Sequence, residues 1–397
     1  MKIAIYSDNF YPELSGISDT IIATGKELAK RGHFVNYFVP KYSKKNYELL
    51  KLPCKEVDLG KNIKITRFSS FSFPPGTKQS RVVLPSGLGS LHLKKFNPDV
   101  IHTNLITGVG IEALIDSKLL KKPLVGTNHT PIVQFLSYLP VKGKGLQKMV
   151  SKYDAWYYNH CQFVSSPSSP VLEEMKKFGF NANSGVVPNP VDIETFKPAS
   201  TKKELKKKYG ISDFSLFYAG RLAPEKNIEM MIKAAANLKK EIPEINIVIA
   251  GRGSSEQDLK KLTEDLGLKN NSKLFGYIEN PQEFANVYNA NDIFVMMSIA
   301  ETQSISMMNA MACEMGVVAT NAWGLKDYVK DGENGLVVEP GDQKALEEKI
   351  LHLYKNLKEK EELGKRARKY VSQFSQEKVA RRWEEIYKGA IESYRKS

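Results

Sequence analysis

The sequence is poor in cysteine and has no long apolar run. Its 397 residues include three cysteines, Cys54, Cys161 and Cys313, and none of them lies in a Cys-x-x-Cys spacing. This scatter argues against a disulfide framework and a structural zinc site, and it favours a reducing compartment. Because no apolar run approaches about 18 residues, we expect no membrane-spanning helix. The first residues, Met-Lys-Ile-Ala-Ile-Tyr-Ser, predict a β-strand and not a signal peptide, since a long apolar segment and a cleavage site are missing.

The sequence also lacks internal repeats, and strand patterns alternate with helix patterns along its whole length. This alternation predicts doubly wound α/β domains, and the length suits two or three of them. The segment Val-Pro-Asn-Pro-Val-Asp-Ile-Glu-Thr-Phe-Lys-Pro at 187–198 has three prolines and no period, which predicts a linker. We therefore expect domains over 1–187 and 199–373, joined by a linker over 188–198, with a ligand-binding cleft between the carboxyl ends of two sheets.

Acidic residues are scarce in the first half of the chain. Residues 1–190 hold 25 Lys and Arg against 13 Asp and Glu, and residues 191–397 hold 33 against 31, so that most of the formal net charge of +14 is on one side. Such an excess attracts polyanions, either an anionic bilayer or a nucleic acid. The alternative is a lysine-rich surface that keeps the protein soluble. We find no nucleic-acid recognition module and expect no nucleic-acid partner.

The strongest local signal is a loop between a strand and a helix in the second half. An apolar strand pattern over 292–297 precedes the loop, and apolar residues at helix spacing follow it at Ile305, Met308 and Met311. Glu301 is therefore predicted to lie at the carboxyl end of a parallel sheet, beside a helix N-terminus that can seat a phosphate. A carboxylate next to an anion seat suits a nucleotide sugar. The alternative is a surface glutamate that caps the helix.

Two cations flank a short turn in the string Phe-Tyr-Ala-Gly-Arg-Leu-Ala-Pro-Glu-Lys-Asn at 217–227. Arg221 can hold a leaving diphosphate with its fork of donors, and Lys226 can do so as a point charge. The alternative is a pair of solvated loop charges. A similar strand–glycine–helix pattern surrounds Gly253, which either binds part of a nucleotide or simply forms the turn. Ile278 follows the next predicted strand.

The first half offers a glycine and a histidine after predicted strands. Gly16 opens a helix after the first strand, where the chain can approach a phosphate closely, although the Gly-x-Gly-x-x-Gly dinucleotide fingerprint is absent. The alternative is an ordinary turn glycine. His129 follows a buried-strand pattern and can act as a hydrogen-bond donor or as an acid or base near a reacting sugar. The alternative is a structural histidine, which is the interpretation we keep for His102.

Together, these strings make the sequence resemble the retaining GT-B glycosyltransferases of glycosyltransferase family 4 over nearly its whole length. The strings are Tyr-Pro-Glu-Leu-Ser-Gly at 11–16, Thr-Asn-His at 127–129, Val-Pro-Asn-Pro-Val-Asp at 187–192, Ala-Gly-Arg-Leu-Ala-Pro-Glu-Lys-Asn at 219–227, Gly-Arg-Gly at 251–253 and Glu-Thr-Gln at 301–303. The resemblance implies two Rossmann-like doubly wound domains facing across a cleft, with a final helix over 374–397 that packs back on the first domain.

The resemblance also implies which residues act and how. Arg221 and Lys226 would grip the diphosphate, Glu301 would hold sugar hydroxyls, Gly16 would approach the phosphate or the acceptor, and His129 would lie near the anomeric centre. The sugar would be transferred from the front face with retention, and fixed cations would stabilise the leaving diphosphate without a metal or a cofactor. The implied catalytic residues are His129, Glu301, Arg221 and Lys226. The implied donor-binding residues are Gly16, Arg221, Lys226, Gly253, Ile278, Glu301, Gln303, Ser304, Ile305 and Asn309.

The sequence departs from the family pattern at three places. The family's Glu-x7-Glu is here Glu301-x7-Asn309, the glycine common three residues after the first Glu is Ser304, and the usual Gly-Gly of the first loop is Ser15-Gly16. An amide at position 309 can bind ribose hydroxyls but brings no charge. A catalytically weak nucleotide-sugar binder is therefore an alternative, and it would bind UDP without turnover until rescued by Asn309→Glu.

The acceptor is indicated by the Glu-Thr-Gln string, which looks like the branch of the family that glycosylates diacylglycerol lipids. Apolar residues alternate with lysines over 135–153, and 84–96 is similar, so both segments can lie in a bilayer interface. The alternative is a helix packed in the core with lysines outside. We expect glucose to move from UDP-glucose to 1,2-diacylglycerol or a related lipid, on a cytoplasmic protein peripheral to the inner face of the cell membrane. A soluble sugar or a polyprenyl-linked glycan is the other acceptor class.

Overall fold

In the computed structural model, two sheets of short apolar strands form the centres of two units. The structure describes residues 1–13, 15–49, 52–72, 81–87, 89–130 and 143–396. The first unit contains Met1–Pro190 and the C-terminal helix, and the second contains Val191–Ser375. The chain passes from one unit to the other inside the predicted linker, and residues 191–198 belong to the second unit. Val191 N donates to Phe374 O over 2.9 Å, and Phe196 is buried in the core of that unit.

The strands of the first unit are parallel to their neighbours in one sheet. The apolar residues of the central strands are buried on both faces, as in other α/β sheets. The strands are β1 (Lys2–Tyr6), β2 (Phe34–Pro40), β3 (Ile63–Phe68), β6 (Val100–Thr103), β7 (Leu124–Thr127), β8 (Phe163–Ser166) and β9 (Ser184–Val186), and a separate antiparallel pair is formed by β4 (Phe71–Ser72) and β5 (Arg81–Val82). The order in the sheet is β3-β2-β1-β6-β7-β8-β9.

Helices connect these strands. α1 begins after an N-cap, Ser15, whose hydroxyl accepts from Ser18 N over 3.1 Å and so satisfies one of the unpaired amides of the first turn. The helices are α1 (Gly16–Lys30), α2 (Lys44–Leu49), α3 (Gly89–Phe96), α4 (Gly108–Leu120), α5 (Lys144–Tyr158) and α6 (Ser169–Lys176).

The second unit repeats the arrangement with a sheet in the order β12-β11-β10-β13-β14-β15. The strands are β10 (Phe214–Ala219), β11 (Ile245–Ala250), β12 (Ser272–Gly276), β13 (Ile293–Met296), β14 (Gly316–Thr320) and β15 (Leu336–Val338). The helices are α7 (Lys202–Tyr209), α8 (Ile228–Leu238), α9 (Glu256–Asp265), α10 (Pro281–Asn289), α11 (Ile305–Ala312), α12 (Leu325–Tyr328), α13 (Gln343–Lys355) and α14 (Leu357–Val371). Each neighbouring strand pair described in this sheet is parallel. The predicted doubly wound α/β architecture is therefore confirmed.

The last helix, α15 (Gln376–Lys396), returns to the first unit and packs on α1. Trp383 and Tyr387 on this helix are buried, and the Tyr387 hydroxyl lies 2.8 Å from His102 Nδ1. Glu384 accepts from Arg31 through two hydrogen bonds of 2.7 and 2.9 Å. These hydrogen bonds to Arg31 hold the pKa of Glu384 down to about 2. His102 is thus occupied in holding α15.

Both sheets have a point at which the strand order changes direction, between β1 and β6 in the first and between β10 and β13 in the second. Ligands of open α/β sheets bind outside the carboxyl ends of the strands at such points. The loops after these four strands and after the strands beside them are therefore expected to form a ligand site.

Candidate active site

The turns after β10 and β11 pack backbone against backbone in the second unit. Gly220 has a φ of +146°, and a Cβ on Gly251 would lie 1.8 Å from Gly220 O. A Cβ on Gly253 would lie 2.0 Å from Leu222 O. Only glycine permits this approach, so the sequence Gly-Arg-Gly at 251–253 is explained by the joining of the two turns. Gly253 thereby supports the turn that carries Arg221.

Lys226 and Glu301 meet at the carboxyl ends of β10 and β13. Lys226 Nζ lies 2.6 Å from Glu301 Oε1, and the two side chains are 12% and 16% exposed. The contact spans 75 residues of sequence. It exists because β10 and β13 are neighbours in the sheet, so the loops that follow them run side by side. Two of the predicted catalytic residues are thus brought together in one ion pair.

Backbone hydrogen bonds hold both partners of this pair. The carbonyl of Glu225, next to Lys226, accepts from Ser298 Oγ over 3.2 Å and from Ile299 N over 3.3 Å. The carbonyl of Glu301 accepts from Gly324 N over 2.8 Å. The turn after β10 and the loop after β13 are therefore tied to one another and to the following β14–α12 connection. The charges sit on a rigid frame, which is what a preorganised anion site requires.

Arg221 lies on the same turn and has a different environment. Its guanidinium pairs with Glu225 at 2.5 Å, and its side chain is 57% exposed. Its carbonyl accepts from the Tyr218 hydroxyl over 3.0 Å, which fixes the backbone and leaves the side chain at the surface. An exposed ion pair contributes little to stability and rearranges readily, so Arg221 can turn toward an incoming anion.

The loop after β13 ends at the N-terminus of α11. Ser304 is the N-cap of this helix, and its hydroxyl accepts from Met307 N over 3.3 Å. The serine that departs from the family glycine thus has a local role, because it caps the helix that Ile305 begins. Gln303 is buried and its Oε1 accepts from the Tyr328 hydroxyl over 3.3 Å, and Asn309 is buried in the second turn of α11.

Ile278 follows β12, the edge strand of the same sheet. Gly276 at the end of this strand has a φ of +66°, and its carbonyl accepts from Gly251 N over 2.7 Å. Ile278 is partly buried and packs on the core of the second unit, whereas its neighbour Tyr277 is exposed. Ile278 therefore lies just after the edge strand β12, next to the Gly-Arg-Gly turn that follows β11. It is an apolar group at the carboxyl end of the sheet.

In the first unit, His129 follows β7 and is buried. Its Nε2 lies 2.9 Å from Asn104 Oδ1, and burial lowers the pKa of His129 to about 4. Asn104 follows β6, the neighbouring strand. The ring is therefore neutral at physiological pH and is held by an amide, not by a charge.

Asp8 and Asn104 are two polar residues that the sequence analysis missed. Asp8 follows β1, and its carboxylate caps α4 by accepting from Val109 N over 2.9 Å and from the Thr107 hydroxyl over 3.0 Å. Burial raises the pKa of Asp8. The available signal was the one that identified His129, namely a polar residue directly after a buried strand.

Gly16 is the first residue of α1. Side chains from other parts of the first unit contact the loop that precedes it. Glu13 accepts from Asn9 Nδ2 over 2.6 Å and from the Tyr42 hydroxyl over 2.8 Å. The guanidinium of Arg67 donates to Tyr11 O over 2.9 Å. These contacts fix the approach of the chain to Gly16 and so position the N-terminus of α1.

Two Rossmann-like units with polar groups at the carboxyl ends of their strands define the architecture of the GT-B glycosyltransferases. The family model described as Glycosyltransferase Family 4 matches residues 14–195, and that described as Glycosyl transferases group 1 matches residues 201–370. The chain belongs to the GT-B glycosyltransferases, and it is a transferase enzyme.

Individual relatives support this membership. The chain is 27% identical to the alpha-monoglucosyldiacylglycerol synthase of Streptococcus pneumoniae over 83% of its own length and 74% of that protein. It is 23% identical to the enzyme of the same name from Acholeplasma laidlawii over 100% of its length and 99% of that protein. Anabaena Alr3699/HepE in complex with UDP-glucose has the same fold, with a TM-score of 0.76, 20% identity and coverage of 97% and 99% of the two chains.

Two absences among the described residues bear on membranes and metals. None of the helices given above combines the length and the apolar sequence that a bilayer crossing needs. Across the described ranges, no three His, Cys, Asp or Glu side chains gather in a way that could hold a metal ion.

Proposed function

We propose that the chain is a retaining hexosyltransferase that moves glucose from UDP-glucose to a membrane lipid such as 1,2-diacylglycerol. The observation that carries the proposal is the Lys226–Glu301 pair at 2.6 Å, fixed beside the N-terminus of α11. A nucleotide sugar combines hydroxyls with a diphosphate, and this site combines a carboxylate acceptor with a cation and a helix N-terminus. The names of the two lipid glucosyltransferase relatives support the acceptor class.

The donor would be held by the second unit. A carboxylate has about four acceptor positions, so Glu301 can bind sugar hydroxyls while one oxygen keeps its contact with Lys226. Lys226 has three donors and can bridge Glu301 and a phosphate oxygen at once. The exposed Arg221 would close over the diphosphate with its planar fork. Ile278 would lie against the base and Asn309 against the ribose.

The chemistry would be transfer on one face of the sugar. The bond from the anomeric carbon to the diphosphate oxygen breaks, the acceptor hydroxyl attacks from the same face, and its proton passes to the departing phosphate oxygen. Negative charge grows on the diphosphate as the bond breaks, so Lys226, Arg221 and the amides that begin α11 stabilise the transition state more than the bound donor. Gly16 would approach the phosphate, and His129 would lie near the anomeric centre. We propose no metal and no cofactor in these steps.

The lipid acceptor is supported by where the charge lies. Met1–Pro190 and Gln376–Ser397 contain 31 Lys and Arg against 17 Asp and Glu, and Val191–Ser375 contain 27 against 27. The whole net charge of +14 therefore belongs to the first unit, and the second unit is neutral. A neutral unit and a strongly basic one in a single chain favour an anionic surface as the partner of the basic unit over a generally solubilising charge.

The outer face of α5 supports the same partner. Met149 and Trp156 on this helix are 61% and 52% exposed, and Lys148 and Lys152 are exposed beside them. Tyr157 and neighbouring residues on the inner face are buried. The helix thus packs in the core on one side and presents an aromatic and an aliphatic side chain among lysines on the other, a composition suited to a bilayer interface. Residues 135–142 of the predicted interfacial segment 135–153 lie outside the described residues.

The segment 84–96 has the same character where it is described. Leu84 and Leu91 are 69% and 67% exposed, and Lys94 and Lys95 are exposed beside them on α3. Together with α5, it would hold the enzyme on the inner face of the cell membrane, within reach of a lipid acceptor.

The test is a product analysis. The purified chain is incubated with UDP-glucose and vesicles that contain 1,2-diacylglycerol and an anionic lipid, with Lys226→Ala as the inactive control. We expect an α-linked glucolipid from the native chain. The absence of product across a panel of nucleotide sugars would overturn the hexosyltransferase proposal. Product with soluble or polyprenyl-linked acceptors, and without vesicle binding, would overturn the lipid acceptor alone.

A further inference from the structure

The orientation of the Asn104 amide is set by a backbone carbonyl. Asn104 is buried, and its backbone N–H donates to Tyr6 O over 2.9 Å. The side-chain Nδ2 donates to the same carbonyl over 3.2 Å. Because a carbonyl oxygen only accepts, the amide nitrogen must face Tyr6 and the amide oxygen must face the other way.

The amide oxygen in turn determines where His129 carries its proton. Asn104 Oδ1 lies 2.9 Å from His129 Nε2. Since the oxygen cannot donate, Nε2 must be the donor. Burial lowers the pKa of His129 to about 4, so at neutral pH the ring has one proton, and that proton is on Nε2.

We infer that Asn104 is a positioning residue that holds His129 as the neutral Nε2–H tautomer. The imidazole then has a fixed ring plane, its Nε2 proton is committed to the Asn104 oxygen, and Nδ1 carries the lone pair. His129 therefore does not serve as a proton donor through Nε2 in transfer of the sugar. It contributes as an oriented, uncharged polar group, which suits a site in which positive charge develops on the sugar ring.

The groups around His129 have hydrogen-bond partners of their own. Titratable residues around β7 include His102 on β6, Asp8 after β1, and Asp154 and Tyr158 on α5. The helices α4 and α15 also contact β7 and carry Glu112, Asp116 and Tyr387. His102 lies between Tyr387 and the Thr127 hydroxyl, Asp8 caps α4, Asp154 accepts from Asn128 Nδ2 over 3.0 Å, and the Tyr158 hydroxyl donates to Thr127 O over 2.9 Å. The contact between Nε2 and the Asn104 oxygen sets the tautomer of the neutral ring, whichever group faces Nδ1.

The direct test reads the tautomer in the native chain. Full-length protein labelled with 15N-histidine is studied by long-range 15N–1H NMR, and His129→Gln assigns the signals. We expect Nε2 to resonate as a protonated nitrogen and Nδ1 as an unprotonated one, without change between about pH 5.5 and 8. A protonated Nδ1, or titration of this ring within that range, would overturn the inference. This measurement needs no active enzyme, so it decides the inference even if the proposed function fails.

The second test changes the amide. In Asn104→Asp a carboxylate faces the ring and favours the imidazolium, so the pKa of His129 should rise from about 4 toward its ordinary value of 6.5. Asn36→Asp is the matched control, because Asn36 is a buried amide of the same sheet whose Oδ1 accepts from the Thr66 hydroxyl. His129 signals should be unchanged in that control. An unchanged His129 in Asn104→Asp would contradict the positioning role.

The kinetic arm depends on the proposed glycosyl transfer. We expect Asn104→Asp to move the acidic limb of the kcat–pH profile to higher pH and to lower kcat roughly tenfold at neutral pH, with little change in the KM for UDP-glucose. A uniform loss of activity with an unshifted pH profile would mean that Asn104 only supports the fold.

Discussion

The two units of this chain contrast in where they keep their charge. The second unit is neutral as a whole, with 27 positive against 27 negative side chains, but its strand ends carry the Lys226–Glu301 and Arg221–Glu225 pairs. The first unit has the entire net charge of +14, but its strand ends carry a neutral His129 held by an amide.

The proposed function would explain this contrast in charge. A leaving diphosphate gains negative charge at one place, and only fixed local cations can follow that change. A surface field acts over about 10 Å in salt and attracts a large anionic partner without distinguishing reaction states. Under the proposed function, the chain separates the two tasks: local charge lies where the donor would bind, and distributed charge lies where the enzyme would meet its membrane.

The largest effect is expected from removing the local charge of the second unit. Lys226→Ala should lower kcat/KM roughly 10²–10³-fold, because it removes a fixed cation from the diphosphate and leaves the mostly buried Glu301 without its partner. The rate is measured with UDP-glucose and lipid vesicles. Lys233→Ala, which removes an exposed lysine from α8 of the same unit, is the matched control and should change little. A Lys226→Ala variant with most of its activity would end the assignment of the diphosphate site.

Arg221 should show a smaller loss on the same unit. Its side chain is 57% exposed, so water screens its charge, and we expect Arg221→Ala to lower kcat/KM roughly 10–100-fold with unfolding free energy changed by less than about 0.5 kcal/mol. Arg221→Lys keeps the positive charge but removes the planar guanidinium. Activity partly above that of Arg221→Ala would indicate that the charge alone contributes, whereas activity no higher than that of Arg221→Ala would indicate bidentate binding. Equal losses of kcat/KM in Arg221→Ala and Lys226→Ala would show that burial does not determine how much each cation contributes.

Much of the charged site follows from the sequence. Glu301 and Lys226 each lie after an apolar strand pattern, and the topology makes those strands neighbours, so their meeting at one edge is predictable. Their 2.6 Å contact is not, because it depends on side-chain conformations in two loops 75 residues apart. Asn104 was missed for a similar reason, since its function depends on the Tyr6 carbonyl, 98 residues away.

Other features were hidden by weak patterns. α14 has a weak hydrophobic pattern because its buried positions include Gly364 and Ala367. The remaining positions are mostly charged, which leaves a thin apolar stripe. A Cβ on Gly364 would lie 2.1 Å from Glu314 O, so the glycine serves close helix packing that a hydrophobic pattern cannot register. Ser304 looked like a departure from a family glycine, and its role as the N-cap of α11 emerges only once the helix start is known.

The proposed membrane contact of the first unit through α5 is tested by vesicle binding. Trp156→Ser should weaken binding to anionic vesicles about fivefold to tenfold, because half of a large aromatic side chain loses its apolar contact. Binding is followed by sedimentation at low and high salt, and salt should weaken the native chain as well. Leu357→Ser, at an exposed leucine of the neutral second unit, is the control. Equal effects of the two substitutions would mean that α5 has no special part in binding.

The smallest effect concerns charge that supports the first unit structurally. Hydrogen bonds from Arg31 hold the pKa of Glu384 at about 2, below its ordinary 4.5, so the carboxylate stabilises the fold above pH 4.5 and this contribution is lost as the pH falls toward 2. Glu384→Gln should lower the unfolding free energy by about 1 kcal/mol at pH 7, and the difference should shrink below pH 4.5. Denaturant unfolding across this range provides the measurement, with the exposed neighbour Glu385→Gln as control. Glycosyl transfer should be unaffected, since Glu384 joins α15 to α1 through Arg31 and is not one of the proposed site residues. A destabilisation that persists unchanged at low pH would mean that Glu384 stabilises the fold by packing and not by its charge.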